Sequence, residues 1–213
     1  MVAKHLLLSM AALGLATAAS AQSNSVNDPV GDFIGSYTGP QNADLDVTSL
    51  TVSYNASSMS FLVQSTMAGN IDASLPGLYV IGVNTGTGAA PFASIGEPNI
   101  LFNQAIQVQK DGSATIGGVA LADGSVTIGG DALSVVIPLS LLPTTGFDPM
   151  HYGFSIWPKV TGGLTSISDF APNDSTISAA GAVPEPAAWS LMLGGFALIG
   201  GTLRRRRPSL RFA

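Results

Sequence analysis

Leu50-Thr51-Val52-Ser53-Tyr54-Asn55-Ala56-Ser57-Ser58 and, just downstream, Phe61-Leu62-Val63-Gln64 decide the fold. In the first run Leu50, Val52 and Tyr54 alternate with Thr51 and Ser53, and in the second Phe61 and Val63 alternate with Leu62 and Gln64. A period of two places one set of side chains on one face of a strand. The Asn55-Ala56-Ser57-Ser58 segment between the runs is turn chemistry. The same period returns in Ile106 and Val108 against Gln107 and Gln109, and in Leu133, Val135 and Ile137. Leu78-Tyr79-Val80-Ile81 is apolar on both faces, the pattern of a central strand covered on each side. Turn signals recur at short intervals: Pro76-Gly77, Asn84-Thr85-Gly86, Asp111-Gly112, Asp123-Gly124 and Gly129-Gly130-Asp131. No long stretch between residues 22 and 183 carries helical periodicity. These features predict an all-β domain, an antiparallel β-sandwich or jelly roll.

An internal echo sits in this region. Asp111-Gly112-Ser113-Ala114-Thr115-Ile116-Gly117-Gly118 returns as Asp123-Gly124-Ser125-Val126-Thr127-Ile128-Gly129-Gly130. Two copies do not make a solenoid, so the echo reads as two similar hairpins in one sheet, each opened by an Asp-Gly turn.

Both ends of the chain read differently from the middle. Lys4, an apolar run over residues 6–16 and Ala19-Ser20-Ala21 before Gln22 have the order of a secretory signal peptide, with signal peptidase as partner. At the other end, Val183-Pro184-Glu185-Pro186 precedes an uncharged apolar run, residues 187–203, and then Arg204-Arg205-Arg206-Arg207. A helix of about 17 residues rises roughly 26 Å, near the lower limit for crossing a bilayer. Four arginines hold their end on the cytoplasmic side. The prolines keep Glu185 in extended, accessible chain ahead of the span. The expected organisation is a signal peptide (1–21), an exported domain (22–180), a hinge (181–186), a transmembrane helix (187–203) and a basic cytoplasmic tail (204–213).

Pro184-Glu185-Pro186, Ala187-Ala188-Trp189, the run from Leu191 to Gly201 and the four arginines resemble a PEP-CTERM sorting signal. That resemblance implies recognition by an exosortase, a membrane-embedded processing enzyme, in a Gram-negative bacterium that makes exopolysaccharide. Pro184, Glu185, Pro186 and Arg204, Arg205, Arg206 and Arg207 are then the sorting and processing residues. Before processing the chain is anchored by its C-terminal helix, and afterwards it belongs to the cell surface or extracellular matrix.

Charge narrows the partners of the exported part. The chain's formal net charge of −5 hides an asymmetry. Between residues 22 and 183 two lysines, Lys110 and Lys159, stand against twelve acids, a formal charge of −10. Such a domain repels nucleic acid and attracts divalent cations. The absence of cysteine rules out a disulfide framework, thiol chemistry and cysteine zinc sites.

Asp28-Pro29-Val30-Gly31-Asp32, then Ser36-Tyr37-Thr38-Gly39-Pro40 and Asp44-Leu45-Asp46-Val47, resemble the opening of DOMON-like and CBM9-like sandwiches. Ser134 to Leu142 and Tyr152 to Ile156 fit late strands of such modules, which implies fold more than ligand.

Catalytic signatures are missing. There is no G-x-S-x-G elbow, H-E-x-x-H or P-loop, and Gly86-Thr87-Gly88 reads as a turn. His151 is the one histidine of the exported part. Aspartates are plentiful but sit mostly beside glycines, where they favour turns. The domain is therefore expected to be non-catalytic and to need no cofactor. Asp28, Asp32, Asp44 and Asp46 offer oxygens of the kind calcium takes, although no fixed calcium-loop spacing is present. In Met150-His151-Tyr152-Gly153-Phe154-Ser155-Ile156-Trp157, period two sets Trp157 with His151, Gly153 and Ser155. That face is either an open shelf for a sugar ring, built on Trp157, His151 and Ser155, or a lid where Trp157 folds over the sandwich edge as Pro158 ends the strand. Two functions remain: a non-catalytic surface or matrix protein associated with exopolysaccharide, and a secreted glycan-active hydrolase using an aspartate pair.

Overall fold

The hairpin predicted around Asn55 forms. In the structure, a computed structural model that describes residues 22–144 and 146–180, the Asn55 Oδ1 accepts the backbone N–H groups of Ser57 at 2.9 Å and Ser58 at 3.1 Å. This side chain replaces the ladder partners lost at the turn. It joins β2 (Val47–Asn55) to β3 (Ser60–Met67) in antiparallel register, with Val52 opposite Val63 and Tyr54 opposite Phe61.

Two five-stranded antiparallel sheets stack around this hairpin. The first has β1 (Gln22–Asn27), β2, β3, β9 (Ala132–Pro138) and β8 (Val126–Gly129) in spatial order β1-β2-β3-β9-β8. The second has β4 (Leu78–Asn84), β5 (Gln104–Gln109), β6 (Ala114–Ile116), β7 (Val119–Ala120) and β10 (Gly153–Lys159), in the order β10-β4-β5-β6-β7. Among the described residues the helical segments are three-residue 3-10 turns. The all-β sandwich expectation holds.

The alternating residues meet between the sheets. Leu50, Val52, Phe61 and Val63 from the first pack with Ile81, Val83, Ile106, Val108, Phe154 and Ile156 from the second, all essentially solvent-free. Phe61 is the hub, with ring centroids 4.8 Å from Tyr54 and 4.9 Å from Phe154. Burial of this apolar surface is the main favourable term in the fold.

β4 and β10 are buried on both faces, as the run Leu78-Tyr79-Val80-Ile81 predicted. Tyr79 and Ile81 enter the main core, whereas Val80 joins a second cluster with Phe92, Ile100, Trp157, Ile167 and Phe170 on the outer face. The open edge of β10 is covered by the C-terminal stretch, where Ile156 exchanges backbone bonds with Ala171 and Phe154 with Ile177. Covering an edge in this way prevents strand addition.

The internal echo resolves otherwise than expected. Its first copy supplies β6 of the second sheet and its second copy β8 of the first, so the two are not hairpins of one sheet. What they share is turn chemistry: Gly112 and Gly124, both at φ near +80° (87° and 80°), occupy the left-handed region that glycine tolerates.

Candidate functional site

The Asp28-Pro29-Val30-Gly31-Asp32 segment follows β1 directly and turns at Gly31, whose φ is +83°. That turn brings Asp28 and Asp32 back toward each other and delivers the Gly31 N–H to Asp46 Oδ2 at 2.7 Å. Asp46 stands just before β2, at the end of the 3-10 turn Ala43–Leu45. From the far end of the sequence comes Asp169, fully buried, accepting the Val47 N–H at Oδ2 and its neighbour Phe170 N–H at Oδ1, each at 2.7 Å. Carboxylate oxygens of Asp28, Asp32 and Asp169 lie within 4.8 Å of one another.

The second segment is locked to the first. Ile34 N–H bonds to the Ser168 carbonyl at 2.9 Å, Asn173 Nδ2 donates to Asp32 Oδ2 at 2.8 Å, and the Ser168 hydroxyl donates to the Leu45 carbonyl at 2.7 Å. A third loop approaches through Glu97, whose Oε2 accepts the Asp174 N–H at 2.5 Å.

No lysine or arginine bonds any of these carboxylates among the described residues. Burial, with the charges of Asp32, Asp46 and Glu97 behind it, pushes the Asp28 carboxyl up to about 7. Burial pushes Asp169 to about 8 against the pull of the Val47 N–H. Asp46 and Glu97 are raised as well, each chiefly by burial. Buried like charges disfavour ionisation, and an added cation reverses that preference.

Of the four aspartates singled out for calcium, Asp28 and Asp32 converge, with Asp169; Asp46 stands beside them on the Gly31 N–H, and Asp44 does not join them. Asp44 turns the other way, into an ion pair with Lys110, and its Oδ2 also takes the Asp72 N–H at 3.3 Å. The intervening 3-10 turn aims residues two apart at different partners. Asp169 was missed because its approach depends on the whole C-terminal stretch folding back, for which no local pattern exists.

The Trp157 face is corrected in two respects. Pro149–His151 is a 3-10 turn, so β10 begins at Gly153 and His151 is exposed off the strand. Ser155 is fully buried and Trp157 is 3 % exposed, so Trp157, His151 and Ser155 do not form an open sugar shelf. Nor is Trp157 a lid at a strand end, because β10 runs on through Pro158 to Lys159. The period-two assignment of Trp157 and Ser155 to one face holds, but loops cover that face. Phe92 meets the indole edge-on at 5.0 Å, Phe102 lies at 5.0 Å and Phe170 at 5.7 Å. Trp157, Phe92 and Phe102 of this cluster form part of the wall of an open groove of about 600 Å³, together with Leu78, Gln107 and Lys159, with no carboxylate in its lining.

The sorting residues Pro184, Glu185, Pro186 and Arg204 to Arg207, the expected membrane helix (187–203) and the signal peptide (1–21) lie outside the described residues. Among the described residues no helix is long and apolar enough to cross a membrane.

Comparison with known families supplies the class. Residues 182–207 match the family described as the PEP-CTERM protein-sorting motif. The chain therefore carries a signal that implies an exported, membrane-anchored precursor, processed by an exosortase onto the cell surface. No curated protein and no solved structure matches the chain, so the DOMON-like and CBM9-like likeness gains no support.

Proposed function

We propose that the chain is a non-catalytic protein of the bacterial cell surface or extracellular matrix, associated with exopolysaccharide and delivered by its C-terminal signal in a Gram-negative host. The observation that carries this reading is the sorting motif at residues 182–207, placed after a β-sandwich with its own core. The geometry of the acids favours a non-catalytic role over the hydrolase reading. Asp46 and Asp169 are anchored to backbone N–H groups, and none of the clustered carboxylates lines the open groove beside Trp157. A glycosidase needs two opposed carboxyls flanking the bond it breaks.

Intact-mass measurement on protein from the native host, with cell-bound and released fractions kept apart, tests the delivery. The reading predicts loss of the C-terminal signal in the mature form and retention on host exopolysaccharide. Hydrolysis of that polysaccharide, abolished by a single carboxylate-to-amide change, would replace it with the hydrolase.

A further inference from the structure

We infer that Asp28, Asp32 and Asp169, with Asp46 beside them, form a site for a hard divalent cation of the calcium type, which staples the loop after β1 to the C-terminal stretch. The first observation is the convergence of Asp28, Asp32 and Asp169, with oxygens within 4.8 Å of one another. The second is independent and concerns Asp46. This residue is 4 % exposed, its Oδ2 is tied to the Gly31 N–H between Asp28 and Asp32, and its Oδ1 has no hydrogen-bond partner in the protein. Asp28 Oδ2 and Asp32 Oδ1 are likewise buried and without a partner. Three carboxylate oxygens on three residues are thus shut off from solvent with no donor in the protein, although buried polar atoms are normally satisfied.

The donor set selects the cation. Every group is a carboxylate, with neither imidazole nor thiolate present, which suits a hard ion taking six to eight oxygens at 2.3–2.6 Å. Four carboxylates exceed the charge of one divalent ion, and the hydrogen-bond donors around them, the N–H groups of Gly31, Val47 and Phe170 and the Asn173 amide, are uncharged. Lys110, the buried lysine, is held by Asp44.

The position gives the ion a mechanical task. Asp28 and Asp32 belong to the loop between β1 and β2, Asp46 to the entry of β2, and Asp169 to the stretch that covers the edge of β10. The same residues lead, on the C-terminal side, to the sorting hinge. An ion bound there ties both ends of the exported domain together. Outside a cell calcium is abundant, so the domain reaches full stability after export, because a ligand that binds only the native state stabilises it by mass action.

The test uses the full chain in detergent, stripped with chelator and titrated with calcium, with magnesium and sodium chloride as controls. Binding is read by calorimetry and stability by thermal melting. Calcium should bind at one site per chain and raise the melting temperature progressively with its concentration, with much smaller shifts from magnesium. Asp32→Asn and Asp46→Asn keep side-chain volume and remove charge, so each should fold in chelator at least as stably as the wild type. Each should also bind calcium about tenfold or more weakly, since affinity follows ligand charge count. Asp111→Asn, at an exposed turn, should change neither. No calcium-dependent shift up to millimolar concentration would overturn the site. So would a shift that magnesium or sodium chloride reproduces, or one that survives unchanged in both Asp32→Asn and Asp46→Asn.

Discussion

Lys110 Nζ lies 2.5 Å from Asp44 Oδ2, with 3 % and 1 % of the two side chains exposed. The ammonium also reaches the carbonyls of Leu75 at 3.4 Å and Pro76 at 3.3 Å, and the Tyr79 hydroxyl fixes the Asp44 carbonyl at 2.8 Å. One of the two lysines of the exported domain is therefore a structural pin between β5 and the entry to β2. Removing one partner leaves the other charge buried and alone. Lys110→Ala should cost about 3–5 kcal/mol, the range for breaking a buried pair. Lys110→Met with Asp44→Leu should recover most of that loss, because no charge is then stranded. Urea unfolding measures both, and a single-variant cost below about 1 kcal/mol would show the pair to be solvated, as exposed pairs are.

Gly82 is the seat of Trp157. A Cβ at this glycine would stand 2.6 Å from the indole Cζ3, inside contact distance, while the residue itself pairs with Ser155 across the sheet. Gly82→Ala should therefore push the indole against Phe92 and Phe102 and destabilise by about 1–3 kcal/mol, as overpacking does. Gly129→Ala meets open space at an ordinary backbone angle and should stay within about 0.5 kcal/mol of wild type. Equal effects from both substitutions, read in the same unfolding experiment, would deny the indole its tight seat.

Asn84 organises the loop that follows β4. Its Oδ1 accepts the N–H groups of Gly86 and Gly88, each at 2.9 Å, and Asn103 secures the same loop through the Thr85 N–H at 2.9 Å. Gly86-Thr87-Gly88 is thus a loop held by side-chain amides, consistent with its reading as a turn. Asn84→Leu removes the acceptor and retains bulk, so two backbone donors lose their partner. The expected cost is about 1–3 kcal/mol per donor left buried, less where water reaches it. Hydrogen exchange at Gly86 and Gly88 should accelerate in the variant, and unchanged protection there would show that another acceptor holds them.

The β2–β3 hairpin and the doubly buried β4 were legible because both depend on residues adjacent in sequence. Local period fixes which faces are apolar, and Asn55 closes its own turn. What covers a face is a different matter. Trp157 is shielded by Phe92 and Phe170, which reach it from separate loops, and neither loop has a period that predicts its landing place. The acidic site divides along the same line. The turn at Gly31 joins Asp28 to Asp32 locally, whereas Asp169 arrives through long-range pairing, the backbone exchange of the C-terminal stretch with β10 and its bonds to Ile34, Leu45 and Val47. Asp44 and Asp46 look equivalent in sequence, and a single 3-10 turn separates their partners.

The tail should control where the sandwich ends up. Residues 182–207 carry the sorting motif, in which Glu185 sits between two prolines and the apolar run closes on Arg204 to Arg207. Proline fixes its own φ and biases its predecessor toward extended backbone, so the sequence predicts that the hinge should offer Glu185 to a membrane enzyme as open chain. The arginines should oppose passage of the tail through hydrocarbon and so hold the precursor in position. In a host with the matching exosortase, wild-type protein should lose the segment beyond the hinge and leave the membrane fraction. Glu185→Ala should leave the full-length form in that fraction, because the recognised peptide is altered while the apolar run is intact. Deleting the four arginines should also block processing, by removing the stop that sets the hinge at the membrane surface. The sandwich itself should melt at the same temperature in all three proteins, which separates sorting from folding. Intact mass of membrane and released fractions reads the result. A wild-type protein that keeps its entire C-terminus in such a host would make the segment a plain anchor.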